Sequence, residues 1–486
     1  MRNRWPISTS FRIFMQFIAI FAILLLPVAW VSWFYSEIIW PYYLAMIFVL
    51  ICFPALIIRL TYSRSELTMR HGFALLVMIW FGLGFLSGLP LWLLGDVSWT
   101  DAVFSGVSGL TTTGAEVFSD LTSLPVSFLF YRMWLQFIGG LGVVILALAL
   151  LPLLGVAHTH HLRADLPGPG KAAQKSVKIA ETAFYLWLTY SGLWLVCVLT
   201  LWGLGLDFFS AFCESLSIIS TGGYSLHVEN LGYYQNNAVY IAALGFMVLS
   251  SINFNLHFKI LFQGDWSGYF QDKELSCYFR MFLLFSFLCA LGFFAHSHLP
   301  FTFGEMIFAV IAMMTSSGHQ ISSYQIWPIS LIFLLLVLGL VGGCSGSTSG
   351  GMKWARVQFF SRDLANAIAL VNHPRAVLPQ VASSTECQIR AGGMDVVLVR
   401  GYLFAFLLTF AVVLGLCLLL GLDFSTAFSA VSACISNTGV GFFGVGDNFS
   451  ELSDAVKWVL LLTMLVGRIE LIAFMVVLSP SYWRSR

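Results

Sequence analysis

Long apolar runs recur along this chain, and they limit its possible folds more than any other feature. They cover residues 11–35, 39–60, 71–94, 125–154, 183–205, 237–258, 279–295, 328–341, 401–421 and 455–479. Most are long enough to cross a hydrocarbon core of about 30 Å, which takes roughly 20 helical residues. Because 59% of the residues are hydrophobic and only 10% are charged, the sequence predicts an all-α polytopic membrane protein.

The first run could be a secretory signal, because Arg2, Arg4 and Arg12 lie at its start. The run continues past Pro27, however, and it lacks a small-residue cleavage pattern. We therefore expect a retained spanning helix.

Lysine and arginine residues concentrate on one side of the predicted topology. Apart from Arg132, Lys457 and Arg468, all of them lie in the N-terminal segment, in or beside alternate loops, or at the C-terminus. By the positive-inside rule, both termini are then cytoplasmic. The opposite loops contain acidic residues but no Lys or Arg, and they cover residues 95–128, 203–240, 297–328 and 422–456. An outer face that carries negative charge concentrates cations and repels anions.

Each of these outer loops repeats the same short pattern. A phenylalanine is followed ten or eleven residues later by a glycine, in the pairs Phe104 and Gly114, Phe212 and Gly222, Phe308 and Gly318, and Phe428 and Gly439. Small polar residues precede the glycines, namely Thr112 and Thr113, Ser220 and Thr221, Ser316 and Ser317, and Asn437 and Thr438. The pattern predicts four polar turns of related structure.

A short segment with a helix-start signal precedes every turn. Ser98 with Asp101 and Thr302 with Glu305 have the spacing of capping boxes, and Asp207 and Asp423 are good N-cap residues. Each segment is too short to cross a membrane. We therefore predict four units, each with a spanning helix, a half-helix, a polar turn and a second spanning helix.

Such a turn has a physical use at membrane depth. Non-helical backbone is tolerated there only where it lines a water-filled pathway or is buried in protein. The C-terminal end of a half-helix carries about half a negative charge, which attracts a cation. Four turns around one axis would present carbonyl oxygens that replace the hydration shell of an alkali cation.

At these four stretches the sequence resembles the TrkH/KtrB-type potassium transporters, a branch of the superfamily of K+ transporters. The resemblance extends to "RMWLQFIGGLGVVILALALLP" from Arg132, "KIAETA" from Lys178, "GGCSGSTSGGMK" from Gly342 and "GRIELIAFMVVLSPSYW" from Gly467. It covers essentially the whole chain, and it is strongest toward TrkH-type members.

The resemblance implies a fold of four membrane-pore-membrane repeats in pseudo-fourfold arrangement, with two additional N-terminal transmembrane helices. The expected parts are an N-terminal extension at 1–70 and repeats at 71–156, 179–262, 276–372 and 392–482. It also implies a homodimer with one channel-like pore in each subunit.

The implied function is potassium uptake across the bacterial inner membrane, with K+ as the transported ion and no organic cofactor. The K+ selectivity filter would consist of Thr112, Thr113, Gly114, Ser220, Thr221, Gly222, Ser316, Ser317, Gly318, Asn437, Thr438 and Gly439. The presence of glycine in all four turns resembles the pattern of potassium-selective members of the superfamily. It therefore predicts a preference for K+ over Na+.

Two further features suggest gating. Residues 342–351 are rich in Gly and Ser and have little helix propensity. Resemblance places this stretch beneath the filter as an intramembrane gating loop, with Gly342, Gly343, Gly346, Ser347, Thr348, Gly350 and Gly351 as its site residues. Arg468 is a cation inside the last span, and such residues are functional candidates. The resemblance implies that Arg468 is an electrostatic barrier to cations in the pore. The alternative role is a structural salt bridge.

Some positions leave alternatives open. Gly441 competes with Gly439 as the narrow-point glycine, and we prefer Gly439 because the repeat aligns there. Glu116 and His319 directly follow their turns. We expect solvated residues at the rim of the pathway, and the alternative is that they tune ion access and give uptake a pH dependence.

The cytoplasmic stretches 157–178 and 353–392 are basic and contain prolines. They are the expected docking surface for a cytosolic nucleotide-binding regulatory subunit of the TrkA type, which the resemblance implies. Contact with anionic lipid is the alternative, and no nucleic-acid partner is expected.

Two other function classes agree less well with the sequence. A Na+- or H+-coupled solute symporter would be expected to show two inverted repeats, whereas four half-helices here enter from the same side. A membrane-embedded enzyme would need a cluster of catalytic groups at one depth, and the spans contain no such pattern. The sequence leaves open whether ion flux is passive or coupled to protons.

Overall fold

The structure is a computed structural model that describes residues 7–60, 69–153, 171–296, 300–373, 394–446, 448–469 and 471–484. Every regular element in these ranges is a helix, and no β-strand occurs among them. The all-α class is therefore confirmed. Parts of the expected docking surface, residues 157–170 and 374–392, lie outside the described ranges.

Three helices precede the first unit. They are Ile7–Ile23, Leu26–Phe34 and Trp40–Leu60. Residues Ser10–Phe34 together form one candidate span of 25 residues, and Trp40–Leu60 forms another of 21 residues. The first helix packs against the third and against the helix that begins at Met69.

The helices that follow fall into the four predicted units, whose outer limits stay predictions. The first spanning helices are Met69–Ser87 with its continuation Leu89–Leu94, then Lys171–Gly203, Lys273–Ala295 and Met394–Leu419. The half-helices are Trp99–Leu110, Phe208–Ser220, Phe303–Met314 and Phe424–Ile435. The second spanning helices begin with Val126–Leu153, Asn237–Ser251, Ile329–Val341 and Asp454–Ile469. The remaining helices are Phe254–Gln263, Ser267–Gln271, Trp354–Asn372, Leu471–Leu478 and Pro480–Trp483, with 3-10 turns at Asn230–Tyr234, Tyr324–Ile326 and Phe443–Val445.

Helix length and composition agree with a membrane protein. Within the described residues, six helices are long and apolar enough to cross a membrane, and two bent helix pairs raise the number to as many as eight. The half-helices are apolar but have only 12 or 13 residues, which is too short for a crossing.

All four half-helices begin with the predicted cap. The side chains of Ser98, Asp207, Thr302 and Asp423 each accept a hydrogen bond from a backbone N–H three residues later. Thr302 and Glu305 form a reciprocal capping box. Hydrogen bonds from Ser425 and then from Thr426 lower the pKa of Asp423 to about 2. This cap therefore stays negatively charged at neutral pH, as the positive end of a helix dipole favours.

The half-helices pack in a closed cycle. Each half-helix contacts both spanning helices of its own unit and the second spanning helix of the preceding unit. For the first half-helix, the preceding unit in the cycle is the fourth. Beyond their first turns, most of their side chains are buried. The four turns that follow the half-helices are therefore brought together in the centre of the molecule.

The second spanning helices differ in continuity. The one in the first unit, Val126–Leu153, runs unbroken for 28 residues. In the second unit Asn237–Ser251 and Phe254–Gln263 meet at an angle of 96°. In the third unit the predicted Gly-rich loop separates Ile329–Val341 from Trp354–Asn372. In the fourth unit one helix ends at Ile469 and the next begins at Leu471.

Candidate cation site at the four polar turns

Each half-helix ends where the backbone enters the left-handed region. The residues that do so, with their φ angles, are Thr112 at 52°, Thr221 at 53°, Ser316 at 51° and Asn437 at 53°. A left-handed residue ends a helix because it turns the following peptide groups away from the helix axis. For a residue other than glycine it costs about 1–3 kcal/mol. The same strained angle in all four turns indicates one shared backbone shape.

The second turn is shifted by one residue relative to the predicted repeat. The left-handed glycine that comes two residues later in each turn is Gly114, Gly223, Gly318 or Gly439, with φ of 76°, 87°, 67° and 68°. Counted from the N-cap, the left-handed residue comes 14 positions later in every unit. The shift arises because Phe212 lies five residues after its cap Asp207, whereas Phe104 lies six residues after Ser98. Gly223 therefore corresponds to Gly114, and Gly222 takes the place of Thr113. In the fourth turn Gly439, and not Gly441, has the left-handed angle.

The left-handed glycines and the carbonyl groups before them form a closed ring. A Cβ atom on Gly114 would lie 1.9 Å from the carbonyl oxygen of Gly222 in the next turn. The same relation continues around the cycle. An added Cβ atom on Gly223 would lie 2.6 Å from Ser317 O, one on Gly318 2.1 Å from Thr438 O, and one on Gly439 2.1 Å from Thr113 O. Only glycine fits where backbones approach this closely. Four backbone carbonyl groups thus meet at one level.

Hydroxyl groups add further oxygen atoms at this level. Oγ1 of Thr111 and Oγ1 of Thr113 lie 2.7 Å apart. Asn437 links two turns, because its Nδ2 donates to Thr113 Oγ1 at 2.9 Å. The Oγ1 atom of Thr112 is buried and has no hydrogen-bond partner among the described residues. A buried oxygen without a partner is a potential ligand for a cation.

The Gly-rich loop 342–351 lies directly against the turns. Ser349 Oγ donates to Thr315 O at 2.8 Å, and the Gly350 N–H donates to Ser316 Oγ at 2.6 Å. On the second turn, Thr348 Oγ1 lies 3.3 Å from Thr221 Oγ1.

Gly350 extends these contacts to the fourth turn, because a Cβ atom at this position would lie 2.1 Å from Ser436 O. The loop therefore contacts three of the four turns, and it has no free space to shift toward them.

The polar atoms at this level are backbone carbonyl and hydroxyl oxygens. Within the described residues, no group of three or more His, Cys, Asp or Glu side chains could hold a metal ion. Transition metals prefer such nitrogen, sulfur or carboxylate ligands. Rings of backbone carbonyl oxygens are instead typical of filters that select alkali cations.

Comparison with known proteins agrees with this geometry. Residues 41–294 and 301–485 match the family described as "TrkH: Cation transport protein". The chain belongs to the TrkH family. The family consists of transport proteins rather than enzymes.

Individual TrkH-family relatives match over most of their length. The chain is 36% identical over 431 residues to the Trk system potassium uptake protein TrkH of Vibrio parahaemolyticus, covering 87% of this chain and 88% of the relative. It is 36% identical to TrkG of Escherichia coli over 436 residues, or 87% of each chain. It is 32% identical over 487 residues to TrkH of Halomonas elongata, covering 97% of this chain and 98% of the relative.

A solved structure shows the same architecture. The crystal structure of the potassium transporter TrkH from Vibrio parahaemolyticus superposes with a TM-score of 0.88 at 33% sequence identity. The match covers 98% of this chain and 99% of that chain. The TrkH fold is therefore shared over nearly the whole molecule.

Arg468 binds the Gly-rich loop of this TrkH-family chain. Its Nη1 donates to Thr348 O at 3.0 Å, and its side chain is 5% exposed. The Nε and Nη2 atoms have no hydrogen-bond partner within the described ranges. Glu470, which follows closely in sequence, lies outside those ranges. Arg468 therefore brings a buried positive charge to the loop that contacts the turns.

Two further contacts fix the loop from the other side. Lys353 Nζ donates to the carbonyl oxygens of Ser347 and Ser349. The backbone N–H of Ser345 donates to Glu274 Oε1 at 2.7 Å. The loop is thus fixed at several points along its length.

Glu116 and His319 do not lie at a solvated rim, and that expectation is wrong. Glu116 forms an ion pair with Arg132, and its side chain is 19% exposed. His319 is fully buried, with Nδ1 2.9 Å from Asn230 Oδ1 and Nε2 3.3 Å from Ser217 Oγ. His319 links the segment after the third turn to Asn230, which follows the second turn, whereas Glu116 pairs within its own unit.

Two polar residues beside the turns were missed at the level of sequence. Arg132 and Gln136 are four residues apart on Val126–Leu153, and both are buried. Arg132 lies over the ring of Tyr224 at 4.2 Å. Gln136 donates from Nε2 to Gly222 O at 2.7 Å. Polar residues within an apolar span are the signal that could have identified both.

Proposed function

We propose that this protein mediates potassium uptake across the bacterial inner membrane through a channel-like pathway. The observation that carries the proposal is the closed ring of carbonyl oxygens from Thr113, Gly222, Ser317 and Thr438, one from each turn. Such a ring can replace the hydration shell of K+. The relatives are potassium uptake proteins by name, which supports K+ as the transported ion.

Electrostatics support a cation in the same place. Four half-helices point their C-terminal ends toward the turns, and each end carries about half a negative charge. The outer loops add acidic residues and no Lys or Arg. Both effects favour cations over anions along the pathway.

Selectivity for K+ over Na+ depends on the four left-handed glycines. They hold the carbonyl groups at a spacing that a side chain would disturb, because an added Cβ atom would lie 1.9–2.6 Å from the carbonyl oxygen of the next turn. A coupled solute symporter is less favoured, because the half-helices pack in one fourfold cycle rather than in two inverted halves.

Gating is assigned to the loop 342–351 together with Arg468. The loop contacts three turns through Thr348, Ser349 and Gly350. It can therefore block the pathway below the ring, and Arg468 would add an electrostatic barrier to cations. Moving the loop away is then the step that opens the pore.

We further propose that the protein is a homodimer with both termini in the cytoplasm, where a nucleotide-binding regulatory subunit controls the gate. The distribution of Lys and Arg supports this orientation. The amphipathic helix Trp354–Asn372 directly follows the gating loop, so a subunit that binds this helix could pull on the loop.

The test is 86Rb+ uptake into liposomes that contain the purified protein, with K+ or Na+ as competitor and Gly114→Ser alongside. We expect K+ to block uptake at concentrations where Na+ does not. Gly114→Ser should lower this preference by about tenfold or more, because the φ strain alone costs about 1–3 kcal/mol and the new Cβ atom would push the Gly222 carbonyl out of place. Wild-type uptake that Na+ blocks as well as K+ would contradict the proposal.

A further inference from the structure

The second turn lacks a side chain that the other three turns have. The residues that contribute ring carbonyls carry hydroxyl groups at Thr113, Ser317 and Thr438, whereas the second turn has Gly222. In the other turns this hydroxyl pairs with the hydroxyl two residues earlier: Thr111 with Thr113 at 2.7 Å, Thr315 with Ser317 at 3.2 Å, and Ser436 with Thr438 at 3.2 Å. The equivalent Ser220 instead donates to Ser217 O.

Gln136 occupies the space of the missing side chain. A Cβ atom on Gly222 would lie 2.3 Å from Cδ, 2.4 Å from Oε1 and 2.8 Å from Nε2 of this glutamine. Gln136 comes from the second spanning helix of the preceding unit, and it is fully buried. A side chain at position 222 and glutamine at position 136 therefore exclude each other.

The amide group of Gln136 also binds the backbone of the turn on both sides of Gly223. Nε2 donates to Gly222 O at 2.7 Å, and Oε1 accepts from the Tyr224 N–H at 3.4 Å. One of the four ring carbonyls thus has its direction set by a side chain from another unit.

Glycine at position 222 is not needed for backbone shape. Its φ lies outside the left-handed region, in contrast to Gly223. Because the backbone angle would accept a side chain, the close contact with Gln136 is the reason that only glycine fits. Gly222 and Gln136 form a matched pair.

We propose that Gln136 is a selectivity-determining residue that supplies to the second turn the polar group that Thr113, Ser317 and Thr438 supply to the others. This inference rests on the proposed function, since it takes the ring to be the K+ filter. By fixing the Gly222 carbonyl, Gln136 keeps the fourth side of the ring at the spacing that K+ requires.

The experiment compares wild type with Gln136→Ala, Gln136→Met, Gly222→Ser and the double variant Gln136→Ala with Gly222→Ser. Each protein is reconstituted in liposomes, and the Na+ and K+ concentrations that half-block 86Rb+ uptake are measured. Gln136→Met keeps the volume of the side chain but removes both hydrogen bonds, so it separates packing from polar contact.

We expect Gln136→Ala and Gln136→Met each to lower the preference for K+ over Na+ about tenfold, the effect of one lost buried hydrogen bond on an equilibrium. Gly222→Ser alone should lower thermal stability and uptake, because its Cβ atom collides with Gln136. The double variant should recover a K+ preference within about threefold of wild type, because its second turn then carries a hydroxyl as the third turn does.

Wild-type preference in Gln136→Ala and Gln136→Met would overturn the inference. So would a double variant that regains thermal stability but stays as unselective as Gln136→Ala. A wild-type protein that does not discriminate K+ from Na+ would instead contradict the proposed function, so the two failures are distinguishable.

Discussion

Arg468 shows how a single residue can act on the pathway in two ways. It places a positive charge in a buried position, and it donates a hydrogen bond to Thr348 of the loop. In the proposed gating mechanism, its charge would oppose cations below the ring, and its hydrogen bond would hold the loop against the turns. Both effects would reduce ion flux in the closed state.

We predict that Arg468→Gln raises basal 86Rb+ uptake by about tenfold or more, because hydrogen bonds to charged groups contribute about 1.5–3 kcal/mol. Uptake by purified protein in liposomes measures the effect. Arg468→Lys is the control, since it keeps the charge and loses only the forked geometry of the guanidinium. Unchanged flux in the glutamine variant would favour a purely structural role.

Residue types at the turns were predictable, but some of their partners were not. The four glycine-containing stretches and all four cap residues could be identified because each depends on local sequence. Gln136 and Arg132 act on turns of other units, and their contacts depend on helix packing that no local pattern encodes. The register of the second turn was missed because the repeat was aligned on Phe212, which lies one residue closer to its N-cap than Phe104 and Phe308 do to theirs.

Among the helices and loops, the Gly-rich loop is the element to which we assign gating. It joins two helices of the third unit, and its contacts with the turns are a few hydrogen bonds and a close approach at Gly350. Hydrogen bonds of this kind contribute about 0.5–1.5 kcal/mol each. Displacing the loop would also break its bonds to Arg468, Lys353 and Glu274, so a partner would have to supply the energy of several hydrogen bonds.

We predict that Gly350→Ala or deletion of residues 345–349 raises basal 86Rb+ flux. Alanine at position 350 would place its Cβ atom 2.1 Å from Ser436 O, so the loop must retreat from the fourth turn. Ser349→Ala, which removes one hydrogen bond and adds no bulk, should raise flux less. Well-folded Gly350→Ala and deletion variants with wild-type flux would count against the loop as the gate.

Helix breaks were only partly predictable. The break in the third unit has a strong signal in its glycines and serines, whereas the 96° bend in the second unit occurs around Ile252 and Asn253 without one. That bend is stabilised by tertiary contacts, including hydrogen bonds from Cys344 N to Ser251 O and from Phe254 N to Gly346 O. The Gly-rich loop of one unit thus fixes the bend of its neighbour.

For the whole molecule, the cyclic packing of the half-helices explains why one chain suffices to build the ring. Each half-helix contacts the second spanning helix of the preceding unit, so every turn is positioned by helices of two units. This arrangement could be expected from the fourfold repeat in the sequence. The gating and partner proposals depend on the resemblance to a known family, because the charge pattern alone does not predict them.

A regulatory subunit should act through this connected structure. We predict that purified protein alone shows low 86Rb+ uptake, and that adding its cytosolic nucleotide-binding subunit with nucleotide raises uptake at least several-fold. The energy of subunit binding would stabilise the open loop by mass action. Equal uptake with and without a bound subunit would contradict regulation from the cytosolic side.

The most direct test of the central claim is to locate the ion. Anomalous diffraction from crystals grown in Rb+ should show a peak enclosed by the carbonyl oxygens of Thr113, Gly222, Ser317 and Thr438, and Na+ at the same concentration should not displace it. A Rb+ peak elsewhere in the molecule, with none inside the ring, would contradict the account.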